Sequence, residues 1–422
     1  MSRILFAWEL GAHLGHLTRD LPVAQKLRDA GHQVRFAVRD TRVAAEILPP
    51  HRFGFLQAPV CVGRTRLGQA PANYAEMLVA EGWCDRKALL GHISAWCELL
   101  AGGTFDAAVA DHAPGALIAA RITGRIAIPL GNGFEIPPDS EPMPSIRPWE
   151  NLTRERLLAS ERNVLADINA IVTQLGGQAY GRLAEIFAPS PIFATFAELD
   201  HYGPRNGTCY VGSIHGLSQA PQASWPTGDG PRVLAYLRSH HPATAEVMAA
   251  LAASGVRAIC IVPEANEVFK AQHSSQSVSV FDHPVALDSL LDEADAMIGY
   301  ASTGAVTAAL LKGVPLLMLP AIVEQYLCAR RVEAMGAGVI IDGTPERERI
   351  REGLAALLGE AKYKAGAASF SAKYATASIQ QAATRAARLI MERLDRAAAY
   401  ENNAPKSHAR NEQGADGNVQ DE

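Results

Sequence analysis

The sequence predicts an α/β protein of two Rossmann-like, parallel-sheet domains, and three observations carry that reading. Its 422 residues exceed one ordinary core at about 150 to 200 residues per domain. Two distant stretches each spell strand, loop, helix, strand. Between them Cys209 to Gly230, rich in Pro and Gly, has the composition of a linker.

The clearer unit runs from Asp295 to Gln325. Ala296 to Ile298 is an apolar run ending in Gly299 and Tyr300, then come small residues Ala301 to Gly304, then Val306 to Leu311 with helical composition. Gly313 and Pro315 stop that helix and release a second apolar run, Leu316 to Leu319, with Glu324 and Gln325 just beyond. A right-handed crossover makes the two strands parallel, so both post-strand loops open on one sheet edge, where such sheets bind ligands. The first loop offers backbone N–H groups and the positive end of a helix dipole, together worth about 1 kcal/mol or more to a phosphate oxygen. An anion is the expected ligand, a diphosphate being one that fits.

The second unit opens the chain. Ile4 to Ala7 reads as a buried strand, followed by a glycine-spaced loop, Glu9 to His16, with histidines at 13 and 16. Thr18 is the expected cap of the next helix and Pro22 suits its first turn; Gly31 ends it before the strand Val34 to Val38. Further strands are expected at 105–111, ending in Asp111, at Ile126 to Leu130 with the exit Gly131-Asn132-Gly133-Phe134, and at Ile192 to Thr195. Asp111 reads either as a carboxylate on the ligand edge or as the cap of a helix starting near Ala113 or Pro114. Pro137 to Pro148 reads as a surface loop and Arg154 to Phe187 as helical. Beyond the linker, strands are expected at Pro231 to Leu237, Ala258 to Val262 and Val278 to Phe281, with a helix from Leu287 to Glu293.

Composition excludes several classes. Thirty-nine basic against 44 acidic residues, without clustering, leave no electrostatic footprint for nucleic acid. The six cysteines form no metal or redox spacing and read as reduced thiols. Gly304 to Val323 is long and apolar enough for a membrane span, but Lys312-Gly313-Val314-Pro315 at its middle suits a helix-to-strand turn. No signal peptide is apparent, so a cytoplasmic location is expected. Asp292-Glu293-Ala294-Asp295 spells helicase letters without a phosphate-binding loop, and Gly11 with Gly15 does not complete a dinucleotide fingerprint.

Tyr300-Ala301-Ser302-Thr303-Gly304, Gly313-Val314-Pro315, Leu319-Pro320 and Glu324-Gln325 resemble the donor-binding motif of GT-B fold, nucleotide-sugar-dependent glycosyltransferases of the family 1, UDP-glycosyltransferase and antibiotic glycosyltransferase type. The family's diphosphate-binding His falls on Tyr300, its two glycines on Ala301 and Ser302, and its ribose-binding Glu on Ala308. Gly15-His16, the helix after it and Gly31-His32-Gln33-Val34 resemble the start of the same enzymes' acceptor domain.

The resemblance covers residues 3 to 395 and implies a GT-B protein with an acceptor domain over 1–208, a linker over 209–230 and a donor domain over 231–368. A helix over 369–400 is expected to return to the first domain, before a disordered tail over 401–422. It implies an inverting, metal-independent hexosyltransferase, most commonly UDP-sugar-dependent, that needs no cofactor beyond its nucleotide-sugar co-substrate. No Asp-x-Asp motif is present to bind a metal. The partners implied are that donor and a small or lipid-like acceptor. His16 falls on the catalytic base, with His13 as the alternative, and Asp111 on its carboxylate partner. Donor contacts fall on Ser239, Val285, Tyr300, Ser302, Thr303, Gly304, Glu324 and Gln325, with a plain helix cap as the other reading of Ser239. Trp83, Asn132 and Phe134 are candidate acceptor contacts. A sugar-nucleotide-binding protein without activity, or an epimerase, would share this fold.

Overall fold

The computed structural model describes residues 1–12, 14–62, 67–214 and 220–403. His13 and the tail beyond 403 lie outside them.

Seven strands form the first sheet: β1 (Arg3–Trp8), β2 (Gln33–Val38), β3 (Phe55–Gln57), β4 (Ala107–Asp111), β5 (Ile126–Gly131), β6 (Ile192–Phe193) and β7 (Cys209–Tyr210), in the order β3-β2-β1-β4-β5-β6-β7. Six form the second: β8 (Arg232–Tyr236), β9 (Arg257–Ile261), β10 (Val278–Phe281), β11 (Ala296–Gly299), β12 (Leu316–Met318) and β13 (Gly338–Ile340), in the order β10-β9-β8-β11-β12-β13. Neighbouring strands pair in parallel throughout. Helices cover both faces, which is why the strands read as unbroken apolar runs. Along β1, Ile4, Phe6 and Trp8 enter one core while Leu5 and Ala7 enter the core on the other face. Each such large side chain contributes about 1.5–3 kcal/mol.

Several expectations need correction. The first helix spans Gly15–Asp29, so Thr18 lies inside it and returns its hydroxyl to the Gly15 carbonyl at 3.2 Å. Pro22 sits in the helix interior, where its ring nitrogen has no proton for the Thr18 carbonyl. Cys209 and Tyr210 pair with β6, so the first sheet extends into the expected linker. The helix Ala361–Lys373 sends Ala367 and Phe370 into the second domain's core, which puts the crossing later than 369. The helix Ile379–Asn403 then packs Ala382, Ala383, Ala386, Ala387, Ile390 and Leu394 against Ile4, Phe6 and Leu17 of the first domain. Its small residues allow close approach.

The stretch 304–323 divides as the turn chemistry required, into the helix Thr303–Leu311, a turn with Gly313 at φ 66°, and β12. No helix of the described residues is long and apolar enough to cross a membrane.

Candidate active site

In the first sheet the strand order reverses between β1 and β4, which leaves a crevice beyond their carboxyl ends. Trp8 and Asp111 end those strands in register. Beyond β1 and Gly11, the Gly15–Asp29 helix carries His16 back over the crevice, where its ring stacks on Trp8 at 5.1 Å. Gly11 is required here. Its φ is +80°, and a Cβ would stand 2.6 Å from His16 Nε2. His16 Nδ1 lies 2.9 Å from Asp111 Oδ1. Asp111 is not a cap: the next helix, Pro114–Ile122, has Ala113 at its N-cap and no side-chain cap bond.

Around this pair lie buried charges. Arg19 Nη2 donates to Asp111 Oδ1, and Nη1 and Nη2 each reach Glu135 Oε1 at 3.2 Å. Burial alone would raise the Asp111 pKa, but the Arg19 charge, then that of His16, holds it down at about 2. An ionised Asp111 only accepts, so His16 Nδ1 carries the shared proton and Nε2 is the lone-pair nitrogen. Burial pulls His16 down, yet the charge and hydrogen bond of Asp111 outweigh it and leave its pKa above the ordinary value. Burial would also raise Glu135, but Arg19 keeps it low. His112, at φ 47° and with its ring 6.2 Å from His16, is pushed by burial down to about 4 and is neutral. Burial, with the Asp111 charge beside it, drives Asp20 well above the usual carboxyl range, and neither of its oxygens finds a partner. His16, Asp111 and Glu135 offer ligand atoms within 4.8 Å of one another, and the cation among them is the Arg19 guanidinium.

The second sheet reverses order between β8 and β11; Ser239 follows β8, Tyr300 to Gly304 follow β11, and Glu324 and Gln325 lie beyond β12. Ser239 is half-buried in the turn after β8 and does not cap the Pro242–Ala253 helix; His241 does, accepting from Ala243 N. Tyr300 does not aim its hydroxyl at open space. Arg238 N donates to it at 3.2 Å, and it donates to Thr244 Oγ1 at 3.0 Å, whose own proton goes to the Arg238 carbonyl. Tyr300 therefore clamps the loop after β8, with its hydroxyl proton engaged by Thr244. Ala301 takes φ +61°. Ser302, exposed, is the N-cap residue of the Thr303–Leu311 helix without a side-chain cap bond, so no side chain caps the N–H groups of Thr303 and Gly304. Gln325 Oε1 accepts from Ala321 N at 2.9 Å and shapes the loop after β12. Val285 is buried in the second domain's core, so only its backbone is available to a base.

The three acceptor candidates differ in their surroundings. Trp83 is wholly buried in the core with its ring 6.0 Å from His92, so it lines no cleft. Asn132 reaches across to the second domain: its Nδ2 donates to Thr303 Oγ1 at 3.2 Å and Glu324 Oε1 at 3.1 Å. Phe134 packs with Ile146 and Leu327 in an apolar contact between the domains. Sequence reasoning missed Arg19, Asp20, His112 and Glu135. Two signals were present: Arg19 is one helical turn from His16, and Glu135 follows β5 much as Asp111 ends β4.

Residues 245–385 match the family described as Erythromycin biosynthesis protein CIII-like, C-terminal domain. Over 411 residues the chain is 26% identical to the 4'-demethylrebeccamycin synthase of Lentzea aerocolonigenes, covering 89% of this chain and 96% of that protein. Among solved structures, the calicheamicin glycosyltransferase CalG4 superposes with a TM-score of 0.70 at 19% identity, over 94% of this chain and 99% of that one. The glycosyltransferase VinC in complex with dTDP gives a TM-score of 0.64 at 17% identity, over 93% of this chain and 100% of that one.

Proposed function

We propose that the chain is a family 1 glycosyltransferase of the GT-B fold and that it transfers a sugar, with inversion, from a UDP- or dTDP-linked donor to a hydroxyl of a small apolar acceptor. The family match over 245–385 and the full-length similarity to a rebeccamycin-type synthase support this reading. The observation that carries the mechanism is the 2.9 Å contact of His16 Nδ1 with Asp111, which leaves Nε2 as the base. An acceptor hydroxyl has a pKa far above 7, and an imidazole near neutrality is suited to take its proton. The acceptor oxygen attacks the anomeric carbon as its proton passes to His16 Nε2. The bond from that carbon to the diphosphate oxygen breaks, and its electron pair leaves with the diphosphate. Asp111 stabilises the imidazolium and fixes the tautomer.

Developing charge on the diphosphate is met by the uncapped N–H groups at Thr303 and Gly304, with the hydroxyls of Ser302 and Ser239 nearby. Glu324 and Gln325 accept from sugar hydroxyls. VinC was solved with dTDP, which supports a nucleoside diphosphate as a ligand here. We propose that no metal takes part: the Arg19 guanidinium fills the position between Asp111 and Glu135.

Two measurements test this reading. UDP or dTDP at 100 times its dissociation constant should add about 2.7 kcal/mol to stability, visible as a thermal shift. With a sugar nucleotide and a hydroxyl acceptor, the product's anomeric configuration should be opposite to the donor's. Retention, or hydrolysis that ignores the acceptor, would contradict it.

A further inference from the structure

Four ionisable groups surround the His16–Asp111 pair: Arg19 and Asp20 from its own helix, His112 just after β4, and Glu135 beyond β5. Burial lowers the His112 pKa to about 4 and raises that of Asp20, whose oxygens bond to none of these groups. The charges hydrogen-bonded to one another are one guanidinium and two carboxylates, Asp111 and Glu135. With a neutral imidazole this bonded set is net negative, and with an imidazolium it is balanced. Glu135 is also the point where this cluster meets the donor domain. Its Oε2 accepts from Asn132 N at 2.9 Å, and the Asn132 amide holds Thr303 and Glu324.

We propose that Arg19 and Glu135 are positioning residues for His16: the guanidinium keeps Asp111 ionised and the ring tautomer fixed, while the Glu135 carboxylate cancels the guanidinium's repulsion of the imidazolium. Without Glu135, Arg19 Nη2, 3.4 Å from His16 Nδ1, would oppose the proton that the reaction delivers. The pair lets one buried arginine orient the dyad without making the base weaker. Asn132 ties this balance to the residues expected to grip the donor. The proposal rests on His16 being the base.

The experiment follows the His16 ring by NMR titration in the full-length, histidine-labelled protein, beside Glu135→Gln, Arg19→Met and Arg19→Lys. Glu135→Gln should lower the His16 pKa by about 0.5 or more, a threefold loss of proton affinity. Arg19→Met should move it upward, and Arg19→Lys, which keeps the charge, should return it toward wild type. A generic packing defect would not produce shifts of opposite sign. No shift in Glu135→Gln, or shifts of one sign in Glu135→Gln and Arg19→Met, would overturn the proposal. If Arg19→Met does not fold, a downward shift in Glu135→Gln with Arg19→Lys near wild type supports it, and the lack of that pattern overturns it. The titration reads the ring whether or not it is the base. Turnover of His16→Ala, measured separately, distinguishes failure of the catalytic reading from failure of this one.

Discussion

His16 Nδ1 and Asp111 Oδ1 meet at 2.9 Å although 95 positions separate them in the chain, because β1 and β4 run in parallel register on either side of the point where the strand order reverses. The carboxylate holds the proton affinity of the ring above its ordinary value. Asp111→Asn removes that charge, so the His16 pKa should fall and the acid limb of the kcat/KM profile should move to lower pH. The rate should drop by about 10- to 100-fold, less than removal of the base itself. A pH–rate profile checks both, and an unmoved acid limb would count against the pairing.

Glu324 is held from across the cleft by Asn132. Glu324→Ala should impair transfer while the affinity for UDP or dTDP, measured by calorimetry, stays within about threefold of wild type. Loss of nucleotide binding with transfer to bound donor intact would reverse the assignment.

Ala301 occupies left-handed backbone at φ +61°. That conformation costs about 1–2 kcal/mol for an L-residue. Glycine would relieve the strain but lose about 0.8 kcal/mol of buried methyl and up to about 1 kcal/mol of chain entropy. Ala301→Gly should therefore lie within about 0.5 kcal/mol of wild type, whereas Ala301→Val, β-branched in the same conformation, should cost about 2 kcal/mol or more. Denaturant titration compares them, and equal stability of the two variants would refute the strain.

Asp20 has a folded-state pKa raised above its unfolded value. A raised carboxyl favours the folded state fully only below the unfolded pKa, about 3.9, and that contribution is lost as the pH climbs toward the folded pKa. At pH 7 the buried carboxyl is therefore a cost. Asp20→Asn should raise Tm there by about 2 °C or more, and the gain should shrink to nothing near about pH 3.5. A gain independent of pH would have another cause.

Strand-helix-strand periodicity made both sheets legible, together with the His16 and Asp111 positions, since apolar runs and their polar exits are local signals. The two-residue strand Cys209–Tyr210 was not, because only its pairing with β6 makes it a strand. Thr18 looked like a cap, but the helix had already begun at Gly15, and nothing in the residue types between them marks the start. Tyr300 was placed correctly in its loop, yet its partner Thr244 is 56 residues away, beyond what local pattern can show. Trp83 and Asn132 share that lesson: the tryptophan's neighbours appear only once the first domain's helices pack, and the amide's only once the two domains meet.

The central claim is that His16 is the base, and its most direct test is turnover of His16→Ala on a hydroxyl acceptor, with donor affinity measured on the same preparation. Turnover should fall by about 10² to 10⁴ while nucleotide-sugar affinity stays nearly unchanged. Near-full turnover in that variant would contradict the account.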